Sequence, residues 1–282
     1  MRRSIEARLD SGKQIRVPLR PEYVWEEHEH LVAHDGDVIS PKADEYWVCL
    51  SGHVTVRNQT GGKWRSYGRS RQTVCGQKGG FWDAYGRSRQ TVSGQEGGYW
   101  SAMENSKQTI SGQKRGSWDA NNDSRQVVTE QKRGNWQARG SSRQTVSGQK
   151  GGDWYAYDNS QQTVSGQKGG EWWAQYTSRQ TVSGQEGGIW SALGESRQTV
   201  SGQRGGNWGS WDDSQQTVSG QEGGSWRAYE NSRQTVSGQR DGYWFAYDTS
   251  EQTISGQKGG IWSTYHEAKQ QILDNKKENP DA

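Results

Sequence analysis

An 18-residue repeat makes up most of the chain and limits what it can fold into more than any other feature. Counted from Ser70, eleven copies follow one another without a gap to Glu267, and residues 88–105, SRQTVSGQEGGYWSAMEN, show the pattern. Each copy has one tryptophan at the same position: Trp82, Trp100, Trp118, Trp136, Trp154, Trp172, Trp190, Trp208, Trp226, Trp244 and Trp262. Repeats of fixed period are typical of solenoids and arrays, so the repeat decides the predicted class.

Composition alone would suggest a disordered chain. Only 28% of the 282 residues are hydrophobic and the mean hydropathy is −1.19, which leaves little apolar surface to offset chain entropy. Sixteen tryptophans and the strict repeat argue instead for an ordered array. The net charge of +3 comes from interspersed acids and bases, so we predict no nucleic-acid partner. No apolar run approaches the length of a membrane span.

The chain begins with basic residues that no apolar core follows, so we expect no secretory signal. Cys49 and Cys75 are too few for a disulfide framework. These features predict a cytoplasmic protein, or one that is exported without a recognisable signal peptide.

Four segments are expected along the chain. Residues 1–36 form an N-terminal cap region, 37–69 a degenerate entry coil, 70–267 the eleven repeats, and 268–282 a C-terminal cap and tail. The final sequence, AKQQILDNKKENPDA, favours a short helix followed by a charged tail. Repeat arrays need atypical ends because an uncovered terminal coil exposes a sheet edge and the core.

Within each repeat, RQTVSGQ has the composition of a strand and x-W-x-A-x that of a second strand. A Gly-Gly pair supplies one corner, and Asn, Asp or Ser residues supply the other. The eleven copies contain no proline, as uninterrupted ladders require. We therefore predict an all-β fold, a β-solenoid of 18-residue coils with two short strands per coil.

An antiparallel hairpin meander, closed as a propeller or barrel, is the alternative fold. Parallel stacking at about 4.8 Å would align repeated glutamines into amide ladders, which favours the solenoid. It would also stack like charges in the columns that start at Arg71 and Lys78, which is unfavourable.

Side chains alternate across a strand, and this assigns core and surface. Val74 must face inward, so Gln72 and Gly76 face inward with it, and the glycine would make room for Trp82. The tryptophans are therefore predicted to form the core rather than a ligand platform. Glu130 occupies the Gly76 position in the fourth copy, where we expect a local distortion.

The two outer faces differ in kind. The second-strand face varies from copy to copy and has more aromatic residues than expected for a surface without a binding function. Its candidate ligand-binding residues are Tyr85, Tyr99, Tyr157, Trp173, Trp211, Tyr229, Tyr243, Phe245, Tyr247 and Tyr265. The first-strand face is nearly uniform and presents a Thr-x-Ser array. Its candidate residues are Thr91, Ser93, Thr145, Ser147, Thr163, Ser165, Thr181, Ser183, Thr199 and Ser201.

The stretch QTVSG, with an outward Thr-x-Ser and an inward valine, resembles the coils of ice-binding and ice-nucleating β-solenoids. This resemblance implies that ranks of hydroxyl and methyl groups order water. A second likeness is to curlin repeats, whose Q-x-G-x-x-N-x-A spacing is similar to Gln77, Gly79, Trp82 and Ala84, with tryptophan in place of asparagine.

Catalytic and metal-binding patterns are scarce. His28, His30 and His34 include an H-x-H, but no distant ligand accompanies them, and we interpret them as cap residues. No Ser-His-Asp arrangement, phosphate loop or cysteine pair at ligand spacing is evident. We predict no metal, no cofactor and no enzymatic activity.

Three functions are consistent with these features. The first is a scaffold that binds a polysaccharide or a protein surface through the aromatic second-strand face. The second is the ordering of ice or water by the Thr-x-Ser face. The third is a structural or adhesive protein that associates end to end.

Overall fold

The computed structural model describes residues 4–8, 14–18 and 30–273, except 43, 59, 77, 95, 113, 131, 149, 167, 185, 203, 221, 239, 257 and 258. The chain divides into two compact units, Met1–Gly134 and Asn135–Ala282, called here the first and second unit. All the regular secondary structure of the described residues is β-strand.

The first unit contains fourteen strands. In chain order they are β1 (Ser4–Arg8), β2 (Gln14–Pro18), β3 (His30–Ala33), β4 (Val38–Ile39), β5 (Tyr46–Cys49), β6 (His53–Arg57), β7 (Lys63–Ser66), β8 (Arg71–Cys75), β9 (Phe81–Ala84), β10 (Arg89–Ser93), β11 (Tyr99–Ala102), β12 (Lys107–Ser111), β13 (Ser117–Ala120) and β14 (Arg125–Thr129). Strands β2-β1-β3-β5-β7-β9-β11-β13 form one sheet in that order, named the tryptophan sheet after its repeated residue. The even strands from β4 to β14 form the second, named the glutamine sheet.

Strand pairing in the first unit is parallel from β3 onward. Trp64 is opposite Trp82, and Gln72 is opposite Gln90, so these coils repeat every 18 residues. The first turns are shorter, because Leu31 is opposite Trp47 and Trp47 opposite Trp64, spacings of 16 and 17 residues. Strands β1 and β2 are antiparallel to each other, and β1 lies parallel to β3.

The second unit contains sixteen strands in eight coils. They are β15 (Asn135–Ala138), β16 (Arg143–Ser147), β17 (Asp153–Ala156), β18 (Gln161–Ser165), β19 (Glu171–Ala174), β20 (Arg179–Ser183), β21 (Ile189–Ala192), β22 (Arg197–Ser201), β23 (Asn207–Ser210), β24 (Gln215–Ser219), β25 (Ser225–Ala228), β26 (Arg233–Ser237), β27 (Tyr243–Ala246), β28 (Glu251–Ser255), β29 (Ile261–Thr264) and β30 (Lys269–Leu273). The odd strands belong to the tryptophan sheet and the even strands to the glutamine sheet. Each strand pairs in parallel with the strand one repeat away, as in β18 with β20 and β19 with β21.

This pairing confirms the predicted parallel β-solenoid and excludes the antiparallel meander. In a meander, consecutive strands would pair, and i, i+18 neighbours would not. Here identical residues of successive coils are direct neighbours, and adjacent strands of a sheet lie about 4.8 Å apart.

The core is a stack of tryptophans. Trp64 and all ten repeat tryptophans from Trp82 to Trp244 are at most 2% exposed. Their ring centroids lie 5.2 Å apart in the pair Trp100–Trp118 of the first unit and 4.6 Å apart in Trp190–Trp208 of the second. The planes of these neighbouring rings differ by only 7° and 5°. The prediction that the tryptophans are core residues is confirmed.

The inward glutamines join the two sheets of a coil and join one coil to the next. Gln162 donates from Nε2 to Gln144 Oε1 at 2.7 Å and to the backbone oxygen of Tyr155, across the coil, at 2.9 Å. Its Oε1 accepts a hydrogen bond from Gln180 Nε2 at 2.8 Å. The buried amide nitrogen thus has two acceptors and the amide oxygen has a donor. Because these polar atoms are hydrogen-bonded, burying them costs little stability. The predicted amide ladder is therefore present.

The glycine that makes room for tryptophan is not the one predicted. Gly76 is exposed, because the strand ends at Cys75 and alternation does not extend past it. The second glycine of each Gly-Gly pair takes this role instead. A Cβ on Gly98 would lie 2.8 Å from Trp100 Cη2 and 2.9 Å from the backbone oxygen of Gly80. Such contacts are too short for any side chain.

The distortion expected at Glu130, from a glutamate placed opposite a tryptophan, is not found. Glu130 is exposed and is not buried against a tryptophan. It adopts φ +57°, the left-handed conformation that Gly94 adopts at the same position with φ +65°. This backbone is unfavourable for glutamate, and the cost is local to the corner.

The predicted C-terminal helix is also wrong over the residues that the structure describes. Lys269–Leu273 form strand β30, in which Gln270 is opposite Gln252 and Ile272 opposite Ile254. Gln270 Nε2 donates to Gln252 Oε1 at 2.5 Å and so extends the amide ladder. The tail from 274 to 282 lies outside the described residues.

Candidate functional site

Two outer faces carry the candidate residues. The hydroxyl face consists of the outward first, third and fifth residues of the glutamine-sheet strands, which usually read Arg-x-Thr-x-Ser. The aromatic face consists of the outward first and third residues of the tryptophan-sheet strands and the residue after each strand. Both faces are described separately for each unit.

The hydroxyl face is most regular in the second unit. Thr145, Thr163, Thr181, Thr199, Thr217 and Thr235 are exposed and stand side by side in register. The serines two residues after these threonines are half-buried, among them Ser147, Ser165, Ser183 and Ser201. In the first unit Thr91 is exposed and Ser93 half-buried, and Val127 interrupts the threonine column. The face is therefore a regular array of hydroxyl and methyl groups at strand spacing.

The aromatic face contains a continuous ladder at one end of the second unit. Trp211 stacks on Tyr229 with centroids 5.5 Å apart, Tyr229 on Tyr247 at 4.8 Å, and Tyr247 on Tyr265 at 4.8 Å. The interplanar angles are 8° or less. In the first unit Tyr85 stacks on Tyr67 at 5.0 Å. We call the four stacked residues of the second unit, Trp211 to Tyr265, the aromatic ladder.

The other predicted aromatic residues lie beside the ladder or apart from it. Tyr243 is 53% exposed, and Phe245 lies 6.4 Å from Tyr247 by ring centroid. Tyr157 lies 6.4 Å from Tyr155. Tyr99 and Trp173 are half-buried, and the Tyr99 hydroxyl donates to the Asp119 carboxylate.

Stacking decides which part of each ring can meet a ligand. Because the ring planes are nearly parallel, each inner member covers the flat face of its neighbour. The inner members Tyr229 and Tyr247 are half-buried, so a ligand can reach only the parts of these rings that stacking leaves uncovered. Tyr265, the end of the ladder, has a neighbour on one side only and is 45% exposed. A ladder of this kind offers ring edges and hydroxyl groups, not flat platforms.

The aromatic side chains also cover the strands beneath them. A Cβ on Gly209 would lie 2.1 Å from Trp211 Cη2, so the indole lies directly over the strand. Ser101 and Ser191 occupy the equivalent outward position and are only 1% and 4% exposed. Alternation correctly predicted the side on which these residues lie, but it could not predict that they are covered.

The hydroxyls of Tyr229 and Tyr155 remain protonated well above neutral pH. Burial raises the pKa of Tyr229, and the neighbouring Tyr247 hydroxyl raises it further. Burial also raises the pKa of Tyr155, with the Asp153 and Glu171 charges adding to the effect. These groups therefore act as neutral hydrogen-bond donors and acceptors.

A buried ion pair lies on the same face in the first unit. Arg65 Nε is 3.3 Å from Asp83 Oδ2, and both side chains are less than 15% exposed. Desolvation raises the pKa of Asp83, and the Arg65 guanidinium acts in the opposite direction. The repeat pattern did not identify this pair.

The described residues show no cluster of histidine side chains. His34 is exposed, and its backbone N–H donates to Asp37 Oδ2 at 2.7 Å. His28 lies outside the described residues, and only the backbone of His30 is described, opposite Tyr46. Among the described residues no group of three or more His, Cys, Asp or Glu side chains is placed to hold a metal ion. Cys49 and Cys75 are both free thiols.

Charged side chains at the Gly-Gly corner form columns that the sequence reasoning treated as repulsive. In the second unit this corner column alternates in sign over five coils, between the like-charged neighbours Lys150 and Lys258: Lys168, Glu186, Arg204, Glu222 and Arg240. Lys168 Nζ is 3.6 Å from Glu186 Oε2, and Arg204 Nε is 3.5 Å from Glu222 Oε2. In the first unit Lys114 Nζ lies 2.8 Å from Glu96 Oε1. Alternation turns a repulsive column into a row of ion pairs.

No protein-family profile, curated protein or solved structure matches the chain. The likeness to ice-binding solenoids and to curlin repeats therefore rests on the residues of the repeat alone. Within the part of the chain that the structure describes, no helix is long and apolar enough to cross a membrane.

Proposed function

We propose that this protein is a non-catalytic repeat scaffold that binds an extended ligand, a protein surface or a neutral polysaccharide, through the aromatic face of its second unit. The observation that supports this most directly is the aromatic ladder from Trp211 to Tyr265. Tyrosine and tryptophan are the residues most enriched at the energetic centres of binding surfaces.

The composition of the core supports this proposal, because its stabilising contacts are made by inward side chains and not by those of the outer faces. Stacked tryptophans and the amide ladder occupy the interior, and both are buried. The outward residues can therefore differ between coils without disturbing the fold. Such separation is what allows solenoids to carry extended binding surfaces.

The ring geometry supports a particular mode of contact. An extended ligand that lies along the ladder would meet ring edges and the hydroxyls of Tyr229 and Tyr247. Phe245 and Tyr243 would add apolar contact at the side. Within the aromatic ladder, a sugar ring could stack flat on Tyr265, whose outer ring face has no neighbour on the described chain.

Glycan and protein arrays test the proposal, with Tyr229→Ala and Tyr247→Ala as variants. We expect each variant to weaken binding by about tenfold or more, because each removes a central member of the ladder. Tyr176→Ala is the matched control, since Tyr176 is 63% exposed and lies at a corner away from the ladder. Equal binding by the wild type and both ladder variants would contradict the assigned face.

Ice or water ordering by the hydroxyl face is a second candidate. The six exposed threonines in register, from Thr145 to Thr235, favour it. Ice-recrystallisation and freezing-onset assays on the protein and on Thr145→Tyr, Thr163→Tyr and Thr181→Tyr test this function. If the unmodified protein has no effect on ice, the candidate is rejected.

A further inference from the structure

A column of like charges runs along the hydroxyl face of the first unit. Arg71, Arg89, Lys107 and Arg125 are the first residues of four successive strands, and all four are exposed. They stand next to one another in register. We call these four residues the basic column.

The basic column has no counter-charge of its own. Among the described residues no carboxylate forms an ion pair with any of its four side chains. In the same coils, the corner column places Glu96 next to Lys114, so the chain has a means to neutralise stacked cations there. Like charges directly opposite each other on neighbouring strands are destabilising. An external anion would remove this repulsion.

The equivalent column of the second unit is interrupted. Gln161 and Gln215 occupy it between arginines, and Glu251 lies 3.1 Å from Arg233 Nε. Residues 51–134 contain fourteen Lys and Arg against six Asp and Glu, a net charge of +8. Residues 135–282 contain fourteen against sixteen, a net charge of −2. The uninterrupted column therefore belongs to a strongly basic segment.

Other residues of this face add to the site. Arg69 and Arg87 are exposed in the turns that precede Arg71 and Arg89. The hydroxyl groups of Thr91 and Thr109 lie on the same face, two residues after their basic neighbours. The surface thus combines a line of cations with a line of hydroxyl groups at strand spacing.

We propose that the basic column binds a linear acidic polysaccharide, one that carries carboxylate or sulfate groups along its length. Its acidic groups would pair with the guanidinium and ammonium groups, and its hydroxyls with those of the threonines. No strand of this face from β6 to β14 contains an aromatic residue on which bases could stack, which disfavours single-stranded nucleic acid.

This proposal does not depend on the aromatic ladder, since it uses other residues in the other unit. Tyr247→Ala should leave binding to an acidic polysaccharide unchanged. A failure of one proposal therefore leaves the other intact.

Binding of the full chain to alginate and to dextran sulfate, with uncharged dextran as the reference, tests the inference. We expect salt-dependent binding to at least one acidic polymer and none to dextran. The double variant Arg89→Gln/Lys107→Gln should reduce the affinity by about tenfold or more. It should also reduce the slope of log K against log salt concentration by about 2, because two cations are removed. Glutamine already occupies this strand position at Gln161 and Gln215, so the variant is expected to fold.

Arg179→Gln/Arg197→Gln is the matched control, because it removes two adjacent cations from the same position in the second unit. We expect its affinity to stay within about twofold of the wild type. Four results would overturn the proposal. They are no binding to either acidic polymer at low salt, full binding by the Arg89/Lys107 variant, an equal loss in the control, or tighter binding to single-stranded DNA than to both acidic polymers.

Discussion

At the scale of single residues, the coil depends on a few positions whose roles differ sharply from those of their neighbours. The two glycines of a Gly-Gly pair illustrate this. A Cβ on Gly188 would lie 2.4 Å from Trp172 Cζ3, whereas a Cβ on Gly187 would meet nothing within 4 Å. The sequence shows both as corner glycines, and only the structure separates them.

Gly188→Ala should therefore destabilise the protein more than Gly187→Ala. The Gly187 change places alanine in a left-handed conformation, φ +69°, at a cost of about 1–2 kcal/mol. The Gly188 change should cost about 1–3 kcal/mol more, because the tryptophan stack must move. Thermal unfolding followed by circular dichroism measures the difference, and equal midpoints would contradict this account of the corner.

The inward glutamine is the second such position. Gln180 donates to Gln162 Oε1 and to the backbone oxygen of Trp173, and accepts from Gln198 Nε2 at 2.7 Å. Removing this amide leaves buried donors and acceptors unpaired, each worth about 1–3 kcal/mol.

Gln180→Ala should lower stability by at least about 2 kcal/mol, with Gln161→Ala as the control. Gln161 belongs to the neighbouring coil but faces solvent, so its loss should change stability by less than about 0.5 kcal/mol. Hydrogen exchange should show faster exchange in β18, β20 and β22 in the Gln180 variant alone. Unchanged protection there would show that the amide ladder contributes little.

At the scale of strands and corners, parallel register makes every residue the neighbour of its own counterpart. Tryptophans that stack and glutamines that hydrogen-bond to their counterparts stabilise the fold in this arrangement. Charged residues destabilise it unless the sign of the charge alternates from coil to coil. The corner column of the second unit alternates in sign from Lys168 to Arg240, whereas the corner formed by Asp212, Glu230 and Asp248 does not. There the hydrogen bond to Asp212 and its negative charge raise the pKa of Glu230, and Asp248 contributes less.

A pH-dependent effect on stability follows at this corner. The folded protein binds the Glu230 proton more tightly than the unfolded chain, whose pKa is about 4.5. Stability should therefore fall as the pH rises from about 4.5 through the raised folded pKa, and the penalty should be complete above it.

Glu230→Gln should raise the melting temperature at neutral pH and make no difference below the unfolded pKa. The gain should be small, because the group is exposed. Glu195→Gln, another exposed corner glutamate, is the control. A variant that melts at or below the wild-type temperature at neutral pH would show that the stacked carboxylates do not repel.

The alternation of side chains with a period of two predicted burial correctly within the strands and incorrectly beyond their ends. It placed Val74 and Trp82 inward, and both are fully buried. It placed Gly76 inward too, although the strand had ended. A helix was also predicted for KQQIL, because its composition was considered without its match to the strand position one repeat earlier. In the structure these residues pair with β28.

At the scale of the whole molecule, the fold class follows from the repeat, and the candidate sites follow only in part. The fixed period and the absence of proline were enough to predict parallel coils. The sequence could not show that the rings of Trp211 and Tyr229 cover one another, because ring orientation depends on packing. Net charge also concealed the basic column, since the excess of acidic residues in 1–50 and 135–282 offsets most of the basic charge of 51–134.

Spin labels on successive coils give the most direct test of in-register parallel stacking, on which both proposals depend. Thr163→Cys and Thr181→Cys, in a background with Cys49 and Cys75 replaced, place labels on adjacent strands of the glutamine sheet. With backbones about 4.8 Å apart, we predict strong dipolar broadening in the electron paramagnetic resonance spectrum, absent from each singly labelled protein. In an antiparallel meander the same residues would lie two strands apart, about 9–10 Å. Because dipolar coupling falls with the cube of the distance, labels at about 9–10 Å would couple about eightfold more weakly than labels on adjacent strands. Broadening of that smaller size, or a doubly labelled spectrum equal to the sum of the single-label spectra, would contradict the solenoid.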